Sequence, residues 1–289
     1  MQIKQGDVAI LTGASQGLGV FIAHALAEAG VNLVLAARSA AGLEDVAQQL
    51  KKSSNIQVLT VPTDVSRPDA LNHLVDRALQ AFGHIDILVN NAGVEYALRF
   101  DELGIEEIQD MIAVNLNGPM VLTRLVLPHM LQRERGHIVN IASVAGIMAS
   151  PYEETYVATK HGLVGFTRAL RLTAQELKWP ISASVICPAF MDGTGMYESM
   201  KQKHGISAPA FVGAIRADAL GAAVVRAIRE DAPDIVLMKG TPRLNVAMLA
   251  LLPRLFEFVT ARLDVSAFFR KVAREHLEER RPAAGRKND

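Results

Sequence analysis

Tyr156 and Lys160 stand four residues apart in the stretch from Thr155 to Gly162. In a helix that spacing places the phenol and the ammonium one turn apart on the same face. The pair is a candidate proton-transfer device. A free tyrosine has a pKa of about 10 and moves protons poorly near neutrality, and a fixed cation beside it would favour the phenolate. Taken alone the spacing is weak, because Tyr-x-x-x-Lys also arises by chance on helix surfaces. The elements around the pair have to decide.

The first of these is a glycine-rich turn. Val8 to Leu11 is a short apolar run that reads as a buried strand, and it enters Thr12-Gly-Ala-Ser-Gln-Gly-Leu-Gly19. A helical pattern follows, with Phe21, Ile22, Ala25 and Leu26 on one face. Strand, glycine turn and helix in that order make a phosphate cradle, since the backbone can approach an anion and the helix N-terminus presents free N–H groups. The spacing Gly13-x-x-x-Gly17-x-Gly19 departs from the commonest dinucleotide fingerprint, Gly-x-Gly-x-x-Gly. A second buried strand, Val31 to Ala37, ends at Arg38 and Ser39, about twenty residues past the turn. An NAD-specific site would carry an acid there for the ribose hydroxyls. Here the residues are Ala37, Arg38 and Ser39, and the last two could hold a 2′-phosphate, which points to NADP(H).

The β-α alternation continues. A helix over 40–52 is followed by a strand from Ile56 to Val61 leading to Asp64 and Val65. Asp64 could accept a hydrogen bond from an adenine amine or simply cap the following turn. A helix over 67–82 and a strand from Ile85 to Val89 then reach Asn90-Asn-Ala-Gly93. Such alternation predicts an α/β fold with a doubly wound parallel sheet and helices on both faces. Ligands of such sheets sit beyond the strand C-termini, where these motifs fall.

Together the turn Thr12 to Gly19, Asn90-Asn-Ala-Gly93, Asn115, Ser143 and Tyr156-Val-Ala-Thr-Lys160 resemble the short-chain dehydrogenase/reductase family over roughly residues 5 to 240. The resemblance implies a Rossmann-like sheet of about seven strands and hydride transfer between NAD(P)H and a carbonyl or alcohol. It implies catalytic roles for Asn115, Ser143, Tyr156 and Lys160. Asn115, within a helix over 105–133, would hold a water linking the lysine to solvent; a structural amide is the other reading. Ser143, ending a strand from His137 to Ala142, would polarise the substrate oxygen. Tyr156 would protonate that oxygen, and Lys160 would lower its pKa and bond the nicotinamide ribose. Cofactor contacts are expected from Gly13, Ser15, Gln16, Gly17, Leu18, Gly19, Arg38, Ser39, Asp64, Val65, Asn91, Ala92, Gly93, Tyr156, Lys160, Pro188 and Thr194.

The chain departs from the family after its sixth strand, Ile181 to Cys187. The usual glycine after Pro188 is Ala189, and Thr194 stands one residue late. Alanine enters φ > 0 less readily than glycine, so the loop path is an open point. Phe190, Met191, Met196, Tyr197, Met200 and Phe211, with Ile147, Met148, Ala149, Tyr96 and Leu98, could line an apolar substrate pocket. The family core is expected to end after a strand from Asp234 to Met238, giving a catalytic domain over 1–240 and a helical extension over 241–289. That extension interleaves Arg254, Arg262, Arg270, Lys271 and Arg274 with Leu255, Phe258, Leu263, Phe268 and Phe269. Its apolar stretch is interrupted at Pro253 and is too short to span a bilayer. Peripheral membrane contact, a subunit interface and a lid over the substrate all remain open for its amphipathic helices.

Composition sets the outer bounds. The 289 residues are half hydrophobic and carry no net charge, so nothing points to nucleic acid. One cysteine, Cys187, and no short-spaced histidine pair leave no expected disulfide and no expected metal. The run from Met1 to Asp7 leaves no room for a signal-peptide core, and a cytoplasmic address is expected. The reading is an NADP(H)-dependent oxidoreductase acting on a small-molecule carbonyl, a lipophilic ketone of steroid-like or acyl-chain type, in a homodimer or homotetramer. The alternatives are an NAD-linked alcohol dehydrogenase and a catalytically silent NADP-binding regulator.

Overall fold

A computed structural model describes residues 1–205, 213–240, 251–262 and 266–280 of the chain. Its first strand, β1 (Val8–Thr12), is buried along its whole length because both faces of the sheet are covered. Alternate residues serve opposite cores: Ala9 and Leu11 pack on one side, Val8 and Ile10 on the other. The same holds for β2 (Asn32–Ala37), where Leu33 and Leu35 oppose Val34 and Ala36. These strands join β3 (Val58–Pro62), β4 (Ile87–Asn90), β5 (Gly136–Ile141), β6 (Ile181–Pro188) and, later in the chain, β9 (Asp234–Leu237). The order is β3-β2-β1-β4-β5-β6-β9, all parallel, so the expected seven-stranded Rossmann-like sheet is present.

Helices α1 (Leu18–Glu28), α2 (Ala40–Ser53) and α8 (Asp218–Glu230) cover one face through Ile22, Leu26, Leu43, Leu50, Leu220 and Val224. On the other face lie α3 (Pro68–Phe82), α5 (Gly118–Gln132) and α6 (Glu154–Glu176). Strand order reverses between β1 and β4, which opens the ligand crevice at their carboxyl ends.

Two features differ from the sequence expectations. The helix expected over 105–133 is three pieces: α4 (Ile105–Ile112), a π-helical turn over Ala113–Asn117, and α5. A π-turn inserts an extra residue into the helical ladder and is a frequent mark of functional sites. Beyond β6, Phe190–Asp192 (β7) and Ala214–Arg216 (β8) pair as a small separate parallel sheet that leads into and out of α7 (Gly195–His204). The extension contributes α9 (Pro253–Arg262) and α10 (Ser266–Arg280). Phe211, Leu263, the segments 241–250 and 281–289, and the side chains of Met196 and Met200 lie outside the described residues.

Candidate active site

The glycine turn is shaped by close backbone approach. Gly13 and Gly17 adopt φ of 67° and 63°, and a Cβ on Gly19 would meet the Gly13 carbonyl oxygen at 2.0 Å. Gly17 caps the N-terminus of α1 without a side chain, so Leu18 begins a helix whose N–H groups open onto the crevice. Ser15 is half-buried and Gln16 exposed on the same turn. The turn after β4 is bolted to it. Asn91 donates from Nδ2 to the carbonyls of Thr12 at 3.0 Å and Gly13 at 3.2 Å. Thr12 Oγ1 accepts from the backbone N–H groups of Asn91 and Ala92. Thr12 was not among the expected site residues, although its place at a strand end before the glycines was a signal. A similar omission is the buried chain Asn90, Asn140 and Thr167, linked by hydrogen bonds of 2.8 Å beneath the crevice.

At the end of β2, Ala37 is buried while Arg38 and Ser39 are exposed. Ser39 Oγ accepts from Gly42 N at 3.1 Å and so caps α2. Asp64 Oδ1 accepts from both the backbone N and the hydroxyl of Ser66, so this oxygen caps its turn. Burial alone would raise the Asp64 carboxyl, but the Ser66 bonds and the guanidinium groups of Arg38 and Arg67 hold it below the usual range. Val65 is buried, and its carbonyl abuts Gly118 at the start of α5, where a Cβ would approach within 2.5 Å.

The four candidate catalytic residues converge at the carboxyl ends of β4, β5 and β6. Ser143 follows β5 and accepts from Ala145 N at 3.1 Å, and its hydroxyl acts to lower the pKa of the Tyr156 phenol. Tyr156 and Lys160 lie on the buried face of α6, 8% and 4% exposed. Lys160 Nζ donates to Ile141 O at 3.2 Å and stands 5.5 Å from the centre of the Tyr156 ring. Gly93 lies beside it, since a Cβ there would be 3.6 Å from Nζ. Burial brings the Lys160 ammonium down to about 8.

The expected lowering of Tyr156 by Lys160 does not appear. Burial, then the nearby carboxyl groups of Glu95 and Glu153, push the phenol well above its ordinary value, and the Ser143 hydrogen bond only partly offsets them. The Lys160 ammonium, 5.5 Å from the ring centre, is not among the leading influences on the phenol. Asn115 is fully buried in the π-turn. Its Oδ1 accepts from Val94 N and its Nδ2 donates to Val94 O, each at 2.8 Å, with Thr159 Oγ1 at 3.3 Å. Both amide hydrogens are therefore spent on protein groups, as the structural reading of this residue anticipates.

Sequence reasoning also missed Glu95 and Glu153, although an acid just before a helix is a recognisable N-terminal signal. Beyond Pro188, Ala189 donates its N–H to Leu237 O at 2.8 Å and needs no positive φ; the left-handed positions fall instead at Gly193 and Gly195. Thr194 precedes α7 in an extended conformation without capping it. Met191 and Leu98 are buried, Met191 within the core under the sheet, so that methionine is not free to line a pocket. Phe190 stacks with Tyr197 at 5.1 Å and with Phe268 of α10 at 5.0 Å. Helix α10 is further tied to the loop after β4 by Val272 against Ala97 and by His276 Nδ1 at 3.1 Å from Ala97 O.

A family model described as short chain dehydrogenase matches residues 7–205, more than half of the chain. The ketoacyl reductase HetN of Nostoc sp. is 37% identical over 253 residues, covering 86% of this chain and 85% of that protein. A short-chain dehydrogenase/reductase from Burkholderia phymatum in complex with NAD is a structural relative with a TM-score of 0.75 and 28% identity, over 91% of this chain and 97% of its own. An alcohol dehydrogenase from the archaeon Thermococcus sibiricus, complexed with 5-hydroxy-NADP, gives a TM-score of 0.69 and 29% identity over 81% and 97% of the two chains.

Proposed function

The chain belongs to the short-chain dehydrogenase/reductase family, an oxidoreductase acting on an alcohol or ketone with a nicotinamide cofactor, and from that premise we propose that it is an NADPH-dependent reductase of bulky apolar ketones. The observation that carries this reading is the placing of Ser143, at the end of β5, with the buried Tyr156 and Lys160 of α6, whose ammonium stands 5.5 Å from the Tyr156 ring centre, at the crevice end of the sheet. The cradle suits the cofactor, because Gly13 and Gly19 let the turn pack closely on itself and on Asn91 and Ala92, bringing the N-terminus of α1 to the crevice where a pyrophosphate would bind. Arg38, exposed at the end of β2 where no acid stands, would hold the 2′-phosphate.

When bound, the nicotinamide supplies the hydride. The chain's own part is acid catalysis and orientation. Tyr156 donates its proton to the substrate oxygen, and the raised affinity of the buried phenol suits a group that begins the reaction protonated. Ser143 donates a hydrogen bond to the same oxygen and fixes its direction. Lys160 would hold the ribose hydroxyls, and Asn115 holds the Val94 backbone that floors the site. The aromatic cluster of Phe190, Tyr197 and Phe268 favours an apolar substrate and makes α10 its cover. Exposed Met120 on α5 and Leu172 on α6 support assembly through those helices. A cytoplasmic site of action agrees with a single, buried cysteine.

The test follows NADPH oxidation against carbonyl compounds graded in size, from acetoacetate through an acetoacetyl thioester to a steroid ketone, with Tyr156→Phe as the control. Turnover of the larger ketones should fall by about 10²-fold or more in the variant while NADPH binding persists. Activity within about tenfold of the native protein would sink the assignment of Tyr156.

A further inference from the structure

An apolar stripe on α9 lies outside the cores that cover the sheet. Leu251 and Leu252 lead into this helix, Leu255 and Phe258 stand on it, and the four are between 47% and 78% exposed. A helix of a globular protein ordinarily turns its apolar stripe inward, and clustered exposed apolar side chains mark a contact surface. On α9 every described side chain, Arg254, Glu257, Ala261 and Arg262 included, faces solvent instead. Leu255, Phe258 and Arg262 follow at intervals of three and four residues and so share one face. Arg254 lies one turn before Phe258 on the flank of that face, and Glu257 falls on the opposite side.

Charge decides what this face fits. Arg254 and Arg262 bracket Leu255 and Phe258, so the apolar patch is framed by positive groups at both ends. A second copy of the chain, paired about a twofold axis through the patch, would set arginine against arginine whichever way the two helices ran. A layer of anionic headgroups instead gives both guanidinium groups phosphate partners, while the leucine and phenylalanine side chains sink to the level of the acyl chains. Arginine suits that boundary, since its stem lies along apolar surface and its head reaches the phosphates. With ten residues the helix can lie on a bilayer and is too short to cross one.

We propose that α9 docks the protein on an anionic lipid surface, with Leu251, Leu252, Leu255 and Phe258 entering the acyl boundary and Arg254 and Arg262 binding headgroup phosphates. The attachment is reversible, because a few apolar side chains and two charges fall far short of the hold of a membrane span. Helix α10 starts at Ser266, shortly after α9 ends at Arg262, and its Phe268 packs on Phe190 beside the crevice. Docking therefore brings the cover of the substrate pocket to the bilayer, where apolar ketones dissolve. That consequence rests on the apolar-ketone reading. The docking does not, and its test involves no turnover, so the two can fail separately.

The full-length protein is sedimented with vesicles of phosphatidylcholine alone and of phosphatidylcholine and phosphatidylglycerol in equal parts. The mixed vesicles should retain it about tenfold better or more, and added salt should weaken that retention. Arg254→Gln/Arg262→Gln should cut retention by the mixed vesicles about tenfold or more, at roughly fivefold for each charge removed. Leu255→Ser/Phe258→Ser should cut it by a similar factor. All four side chains are exposed, so the melting temperature should hold in both variants. Trp179 is the sole native tryptophan, and in Phe258→Trp the added emission should shift to the blue with the mixed vesicles. Failure of the mixed vesicles to retain the native protein, retention of the serine variant within about twofold of native, or an added emission that does not shift would each overturn the proposal. So would a native dimer on gel filtration that the serine substitutions split into monomers, without vesicle binding by either form.

Discussion

The side-chain amide of Asn115 and the backbone of Val94 form a closed pair of hydrogen bonds, each 2.8 Å long, between the π-turn of the α4–α5 helix and the loop after β4. A π-turn is costly in a helix and persists where surrounding structure holds it. Here the loop it holds carries Gly93, which flanks Lys160, and Glu95, whose charge adds to burial in raising the Tyr156 phenol. Positioning of the site thus runs from helix to loop to catalytic face.

Replacing Asn115 by leucine should therefore damage stability and activity together. It leaves the N–H and C=O of Val94 without partners, and each such group costs about 1–3 kcal/mol when buried. The melting temperature should drop by roughly 4–24 °C for the two groups together, given about 2–4 °C per kcal/mol for a chain of this size. Thermal denaturation checks the first effect, and NADPH oxidation at a temperature where the variant is folded checks the second. An unchanged melting temperature would show that the clamp is idle.

The proposed preference for NADPH rests on Arg38. Loss of a charge-assisted hydrogen bond to a 2′-phosphate corresponds to about 1.5–3 kcal/mol, or roughly tenfold to a hundredfold in affinity. Arg38→Ala should weaken NADPH binding by that factor and leave NADH binding within about twofold, as measured by cofactor fluorescence titration. Equal losses for both cofactors would refute the phosphate role and favour an NAD-linked enzyme.

His137 gives a pH dependence of stability with a definite sign. It is buried in β5, its Nε2 lies 2.8 Å from Ser184 Oγ, and that hydroxyl donates to Ala232 O at 2.6 Å, so the imidazole must be the donor to serine. Burial lowers its pKa to about 3. The unfolded chain, with a pKa of about 6.5, then binds the extra proton first as pH falls. Stability is full above about pH 6.5 and is lost as pH falls toward the folded value. Between pH 7 and pH 5 the loss from this residue should be about 2 kcal/mol. Urea unfolding of the native protein and His137→Gln at both pH values reads the difference, which should shrink by that amount in the variant.

Much of the fold was legible because it is written in local patterns. Apolar runs such as Leu33 to Ala37, set between turn signals, read as strands buried on both faces, and the glycine turn between β1 and α1 announces itself by order. What escaped depended on contacts between distant segments. The break in the long helix comes from the demand of Val94 for the Asn115 amide, twenty-one positions away, and no periodicity records it. Likewise Lys160 looked like the group that sets the phenol, by spacing alone. Its ammonium lies over the ring, while burial of the phenol, with the charge of Glu95 from another loop adding to it, reverses the expected direction.

The extension offers the sharpest test of substrate size. Of the three roles open from sequence, α10 bears on the lid most directly, because Phe268 packs on Phe190 beyond Pro188 and on Phe269, while Val272 seats on Ala97 after β4. Both anchor points flank the crevice rather than an outer helix face. Truncating Phe268 to alanine removes the ring that closes this cluster, and an aromatic pair contributes about 0.5–1.5 kcal/mol beyond its buried area. KM for a steroid ketone should rise by about fivefold or more, and KM for acetoacetate should stay within about twofold. Losses of equal size for both substrates would point to general destabilisation, which a melting curve would register. A change in elution volume on gel filtration, with substrate range intact, would move α10 from lid to subunit interface.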